Sequence, residues 1–491
     1  MRIIFLPVDE RFCTRDYLLL LTKATDLDVI TPPKKLLGQK KIPADIAKLH
    51  EWLLENVKKD DILILSADML LHGGLIPSRI NLLSLDTVLK RLKILRILKN
   101  VGTKIYLTAT VTRIPKYNSD EEEPDYWEYF GEEIYRLSLK LAESGMSFES
   151  LKTNVPEWIV DDFLWRRKRN FQVLSKIIEC VKGGIIDFLN VTLDDNSEGS
   201  LSVFEAKLHE SKVVELGISD KVSIHPGADE SAMALLSKLL CDFFGERPRF
   251  SVVYANPETK NLIPPYEGEP LSSSVIKHIK SCGGEYVKEI SDGDIILLIN
   301  NMDNLEFSES AFQPKKPLNE GTYNRMLKYF RNSEKIIGIA DVKYANGSDN
   351  HLVESIMNEN SIDWTKTNYY GWNTAGNTVG TTCAHSVIQF LASKGRIKLI
   401  EDSIRKYQAI LLLEHWGYQA NVRQKLLEEL KTKNLSCRTL IPVEKWAEEY
   451  CIKKLERYKE SLENTFSMSL NIKVYFPWHR PFELGIEEVI K

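Results

Sequence analysis

Short apolar runs rich in Ile, Leu and Val recur along this chain, and each stops at a cluster of polar residues. Runs of this length and β-branched character, bounded by Asp, Asn, Gly and Pro, read as buried strands. The run at 2–8 opens into Asp9-Glu10-Arg11, and the run at 61–66 opens into Asp68 and then His72-Gly73-Gly74. The run at 104–110 ends near Arg113, the run at 185–191 releases Asp194-Asp195-Asn196-Ser197, and the run at 221–224 leads into His225-Pro226-Gly227-Ala228-Asp229-Glu230. Later runs deliver Asn256, Asn300-Asn301, Asp341 with Asn346-Gly347, and Tyr369-Tyr370 followed by Trp372-Asn373 and Asn377. Between most of them lies a helical pattern, as at 43–56, 85–98, 231–244 and 382–393, with apolar residues every three or four positions.

Alternating strand and helix predicts a parallel sheet. Eight or nine such units in residues 1–396 suit an α/β fold of the (β/α)8 TIM-like barrel type with insertions. A barrel carries its chemistry at the carboxyl ends of all its strands, which is where the polar clusters fall. An open sheet gathers ligand groups at one switch point instead. No G-x-G-x-x-G or Walker-type loop follows a strand, so nucleotide binding lacks its usual signal.

Two regions break the pattern. Residues 114–184 read as an insertion or lid, with an acidic run at Asp120-Glu121-Glu122-Glu123 that reads as a solvated loop. Residues 397–491 read as a C-terminal helical domain, with helices at 405–416, 422–431 and 443–465 and an aromatic tail at 475–483. A formal net charge of −4 gives no electrostatic reason for nucleic acid or an anionic membrane as partner. No apolar stretch is long enough to span a bilayer, and Asp9 and Glu10 follow the first apolar run too closely for a signal peptide. Seven cysteines without C-x-x-C spacing read as reduced thiols of a cytoplasmic protein. The expected partner is a small-molecule or oligosaccharide substrate, with no cofactor, and self-association is left open.

The adjacent Asp194-Asp195 is the strongest chemical signal. Two carboxyls side by side repel, so one pKa should rise while the other group stays charged, which is the division an acid catalyst and its partner need. The plain alternative is a polar loop with Ser197 or Asn196 capping the helix that starts near Leu201. Other residues carry the same double reading. Trp372 and the tyrosines suit a sugar face or core packing. Asn346-Gly347 suits a ligand amide or a turn. Asp9-Glu10-Arg11 suits substrate or a buried ion-pair network. Asp9, Asp68, His72, His225, Asp229 and Asp341 also form a diffuse set of oxygen and imidazole donors for a divalent ion in a metal-dependent hydrolase, and a non-catalytic carbohydrate-binding protein is compatible with the same fold.

The segments 6–11, Asp68 with 72–79, 193–195, 225–230, Ala340-Asp341 with Asn346-Gly347, and 371–378 resemble the family catalogued as domain of unknown function 4127, over nearly the whole chain. Asp194-Asp195 followed late by Trp372-Asn373 and Asn377 is also similar to glycoside hydrolase family 84, the O-GlcNAcase type. That second resemblance implies a retaining, exo-acting β-N-acetylhexosaminidase working by substrate assistance. Asp194 would orient the 2-acetamido group and Asp195 would protonate the leaving oxygen. Asp9, Glu10, Arg11, Asp68, His72, Gly73, Gly74, Arg113, Asp229, Glu230, Asp341, Asn346, Trp372, Asn373 and Asn377 would bind substrate.

Overall fold

The computed structural model describes all residues except 146–152, 304–307, 316–319, 331–333, 360 and 490–491. The chain divides into two compact units. One holds residues 1–10, 27–235 and 266–269; the other holds 11–26, 236–265 and 270–491.

In the first unit six parallel strands pair in the order β2-β1-β3-β4-β5-β6: β1 (Arg2–Leu6), β2 (Asp28–Ile30), β3 (Ile62–Ser66), β4 (Lys104–Val111), β5 (Phe188–Leu193) and β6 (Val222–Pro226). Strands β3 and β5 are buried at every position, as parallel strands covered on both faces require. Their Ile, Leu and Val side chains pack with Leu95, Leu98, Ile177 and Ile178 from covering helices into one apolar cluster. Register sets the site: Ser66 lies opposite Thr108, Val111 opposite Leu193, and Leu193 opposite Pro226, so the loops after four neighbouring strands emerge along one edge.

In the second unit five parallel strands pair in the order β11-β10-β9-β7-β8: β7 (Arg249–Tyr254), β8 (Glu285–Val287), β9 (Ile295–Asn300), β10 (Ile336–Asp341) and β11 (Thr367–Tyr370). Read from β8, this order is second, first, third, fourth, fifth. It repeats the order of the first five strands of the other sheet, and both have the doubly wound, flavodoxin-like arrangement that reverses between its first and third strands.

The parallel pairing follows the sequence expectation, but neither sheet closes into a barrel among the described residues. One sheet ends at β2 and β6, the other at β8 and β11. Alternation alone does not separate a ring from two open sheets, because both use βαβ units. The edge strands β2 and β8 are three residues each, begin on the exposed charges Asp28 and Glu285 and are too short to show a strand pattern, so the reversal point is invisible in the periodicity.

Residues 397–491 belong to the second unit and are mostly helical: Glu401–Leu412, a π-helical stretch Leu413–Val422, then Arg423–Thr432 and Glu444–Phe466. An antiparallel pair, β12 (Ile472–Tyr475) and β13 (Gly485–Glu488), follows. The 114–184 segment forms the helices Trp127–Glu143 and Glu157–Lys182, sharing an apolar cluster of Trp127, Ile134, Leu141, Ile159 and Phe163. Among the described residues no helix is long and apolar enough to cross a membrane. All seven cysteines are free thiols.

Candidate functional site

The loop after β5 holds Asp194 and Asp195. The Asp194 amide donates to the Val111 carbonyl at 3.2 Å, which keeps the turn in step with β4. The following helix, Leu201–Glu215, is capped by Ser200, not by the expected Asn196 or Ser197. Asn196 instead closes the loop through Nδ2 to the Leu193 carbonyl (3.1 Å), and its amide reaches the Tyr266 carbonyl (2.8 Å).

Two guanidiniums organise this pair. Arg79, on the short helix Leu75–Ile80, donates Nη2 to Asp194 and Nη1 to Glu122 (3.1 Å) and Glu123 (3.2 Å). Arg113, just past β4, donates Nε to Glu123 (2.9 Å), Nη2 to Glu122 (3.0 Å) and Nη1 to Asp195 (2.9 Å). Two cations thus serve four carboxylates. The acidic run at 120–123 is therefore not simply a solvated loop: Glu123 is buried, because two arginines placed under the loop need counter-charges there.

The two aspartates differ. Asp194 is buried against Arg79, whereas the Asp195 side chain keeps 31% of its surface open. Burial first, then the neighbouring Asp194 charge, push the Asp195 carboxyl upward against the pull of Arg113 and Arg79, and its open side tempers that push. Asp195 lines a pocket with Arg113, Tyr117, Tyr135, Ser197 and Tyr266. Asp68, at the exit of β3, is buried and raised to about 6, mainly by burial and partly by Asp194, against hydrogen bonds from Thr110 and Ser78.

Other expected residues of the first unit are buried near the same strand ends. Glu10 accepts from the Lys40 amide at 3.2 Å, and Asp9 is 3% exposed. Gly73 has φ +87°, and a Cβ there would lie 2.7 Å from the Ala44 amide nitrogen; with Gly74 at φ +137°, the pair lets two chain segments pass closely. His72 is held as a neutral imidazole. Burial, Arg169 and Arg91 depress its pKa to about 3, and its Nδ1 takes the Asn81 amide at 3.0 Å. Glu230, fully buried beside Asp229 past β6, is raised to about 8, chiefly by burial.

Arg11, Asp341, Asn346, Trp372, Asn373 and Asn377 belong to the second unit, not to the unit of Asp194-Asp195. Asp341, at the end of β10, accepts from Asn300 (2.8 Å), the Asp349 amide (2.7 Å) and Tyr369 Oη (2.5 Å). Burial, then Asp349, raise it to about 7. Asp349 in turn accepts from Tyr323 Oη at 2.6 Å, and Lys343 Nζ lies 3.0 Å from that hydroxyl and 2.9 Å from Asp303. Asn346 and Asn373 both take left-handed backbone conformations, and the Asn346 amide donates to the Asn373 carbonyl at 2.9 Å, as turn residues do. Asn377 lies in the first turn of the helix Ala375–Ser393, where its amide donates to the Thr374 cap. Trp372 is buried, stacked on His415 at 6.1 Å and edge-on to Tyr17 at 5.2 Å. Arg11 lies 4.4 Å over the Trp478 ring and 4.0 Å from Glu483.

A buried chain passes unseen in the sequence: the Gly371 amide reaches His415 Nδ1 (3.4 Å), His415 Nε2 meets Tyr17 Oη (2.8 Å), and Tyr17 lies 3.5 Å from Glu414. Glu414 accepts from Gln419 at 2.8 Å, and burial raises it to about 8. The only signal was a charged pair, Glu414-His415, interrupting an apolar helical run.

These features define the class: an α/β protein with two doubly wound parallel sheets, each gathering buried acids at its strand ends. The family model described as "Protein of unknown function (DUF4127)" matches residues 3–487, and the chain belongs to that family. No curated protein matches it. A solved structure described as Fpglu1 from Fervidobacterium pennivoraus is 9% identical over 80% of this chain and 95% of that chain, with a TM-score of 0.21, too low for any shared fold to be read from it. None of these matches supports the expected resemblance to glycoside hydrolase family 84.

Proposed function

We propose that the protein is a glycoside hydrolase whose acid catalyst is Asp195. The observation that carries this reading is the unequal treatment of two adjacent carboxyls. Asp194 is buried on Arg79, while Asp195, though paired with Arg113, has its ionisation opposed by burial and by Asp194 and opens onto a pocket with tyrosine walls. That is the pairing of a fixed anion with a protonatable neighbour. In the retaining, substrate-assisted form, Asp194 holds the 2-acetamido group while its carbonyl oxygen attacks the anomeric carbon, and Asp195 protonates the departing oxygen. Tyr135 and Tyr266 offer apolar faces for a sugar ring.

The test is turnover of aryl and alkyl N-acetyl-β-hexosaminides by the full chain. Asp195→Asn should slow the alkyl substrate by about 10²-fold or more, the ordinary worth of a positioned acid, and the activated aryl substrate far less. An equal fall on both, or no turnover across a broad glycoside panel, overturns the reading.

A further inference from the structure

Past β6 lies a second cluster of donors that the proposed hydrolysis does not use. His225 is the fourth residue of β6, opposite Thr192 of β5, and is fully buried. Its Nε2 is 2.8 Å from Asn190 Oδ1, and its Nδ1 is 2.7 Å from the Pro226 carbonyl and 3.8 Å from Glu230 Oε1. Glu230 is also fully buried. Its Oε2 accepts from the Ala228 amide at 2.9 Å, whereas its Oε1 has no hydrogen-bond donor among the described residues. The loop is shaped around that oxygen: Gly227 has φ +106°, and a Cβ there would sit 2.4 Å from Oε1. Asp229 and Glu267 lie near enough to add negative potential.

We propose that His225 and Glu230 hold a divalent transition-metal ion of the Zn²⁺, Fe²⁺ or Mn²⁺ kind. A structural histidine needs only Asn190 and Pro226. It does not account for a buried carboxylate oxygen that faces the imidazole with no donor of its own, a costly arrangement unless a cation satisfies it. Two donors bonded at about 2.1 Å to one ion stand at most about 4.2 Å apart, and the 3.8 Å found here fits within that limit. The Asn190 side-chain oxygen is placed to accept Nε2–H, the outer contact that orients a metal-binding imidazole; taking the ion displaces the proton that Nδ1 shares with the Pro226 carbonyl and turns that lone pair to the metal. One nitrogen and one carboxylate oxygen, without thiolate, favour borderline and hard divalent ions over Cu⁺. These two residues supply half of a tetrahedral shell. The site is distinct from the Asp194-Asp195 pair, and its failure leaves the glycosidase reading standing.

The full chain is stripped with chelator, dialysed and titrated with Zn²⁺ by calorimetry, with elemental analysis of the product and a Co²⁺ absorption spectrum of the wild type. The expected result is one tightly held ion per chain and Co²⁺ bands without a thiolate charge-transfer feature. Glu230→Gln and His225→Gln should each weaken Zn²⁺ binding by more than the roughly 10–100-fold that loss of an outer partner costs; Asp86→Asn, on an exposed helix, should not. Absence of a stoichiometric ion, a thiolate band, or unchanged affinity in both variants overturns the proposal. If the variants fail to fold, the wild-type melting temperature decides: it must rise with Zn²⁺ in proportion to occupancy, and a flat response overturns the site.

Discussion

The two sheets share a strand order, yet the acids past β4 and β5 of the first are held differently from Asp341 past β10 of the second. At the edge of the first, Arg79 and Arg113 clamp Asp194, Asp195, Glu122 and Glu123 as ion pairs. At the edge of the second, Asp341 rests on an amide, a backbone N–H and a phenol, and in the π-helical stretch of the same unit Glu414 accepts from Gln419. With neutral donors only, burial lifts both acids to about 7 and about 8; in the clamp burial also raises Asp195 and Glu123, but there the two guanidiniums pull against it. Topology therefore fixes where polar loops gather, and the residues placed on those loops decide which protonation states are held there.

The sharpest way to break the comparison is Arg79→Ala. It strands Asp194 and Glu123 without one of their cations in a buried setting, and should cost about 3–5 kcal/mol in denaturant unfolding of the full chain. A loss below about 1 kcal/mol would mean that the clamp is not what holds the first sheet's acids. Next comes pH. Glu414 sits above its ordinary 4.5 in the folded state, so its contribution is intact below about pH 4.5 and is lost as pH rises through about 8. The melting temperature should fall across that window, and Glu414→Gln, which mimics the protonated acid, should flatten the fall by several degrees. An unchanged slope in that variant would assign the pH dependence elsewhere. The smallest effect belongs to Arg113→Lys. A lysine loses the fork that spans Glu122, Glu123 and Asp195 but keeps the charge facing all three, and the open side of Asp195 screens part of the loss, which holds it to roughly 1 kcal/mol. A cost as large as that of Arg79→Ala would erase the distinction between the buried and open halves of the clamp.

The central strands and the exits at Asp68, Asp194-Asp195, Glu230 and Asp341 were legible because buried parallel strands are apolar runs with abrupt polar ends. The strand order was not, since it depends on which face each crossover takes and on the edge strands β2 and β8, three residues each and too short for a period to show. Arg79 stood in the family-like segment 72–79 but was given no role at the site, because nothing in the sequence pairs it with Asp194 across 115 residues, and Glu123 was passed over because acidic runs usually face solvent. Tyr17, Glu414 and His415 were hidden for a different reason. The Glu414–Gln419 bond spans five residues of a π-helical stretch, a spacing to which a period of 3.6 is blind.

The interleaving of the two units has a consequence for biosynthesis and for protein engineering. The chain leaves the first unit after residue 10, returns at 27, leaves again after 235 and comes back for residues 266–269, by which point β7 of the second has already been made. A ribosome delivering residues in order cannot finish the first unit before starting the second. No single cut frees either half whole, so fragments taken from one end should be tried as complementing pairs and not as stand-alone pieces.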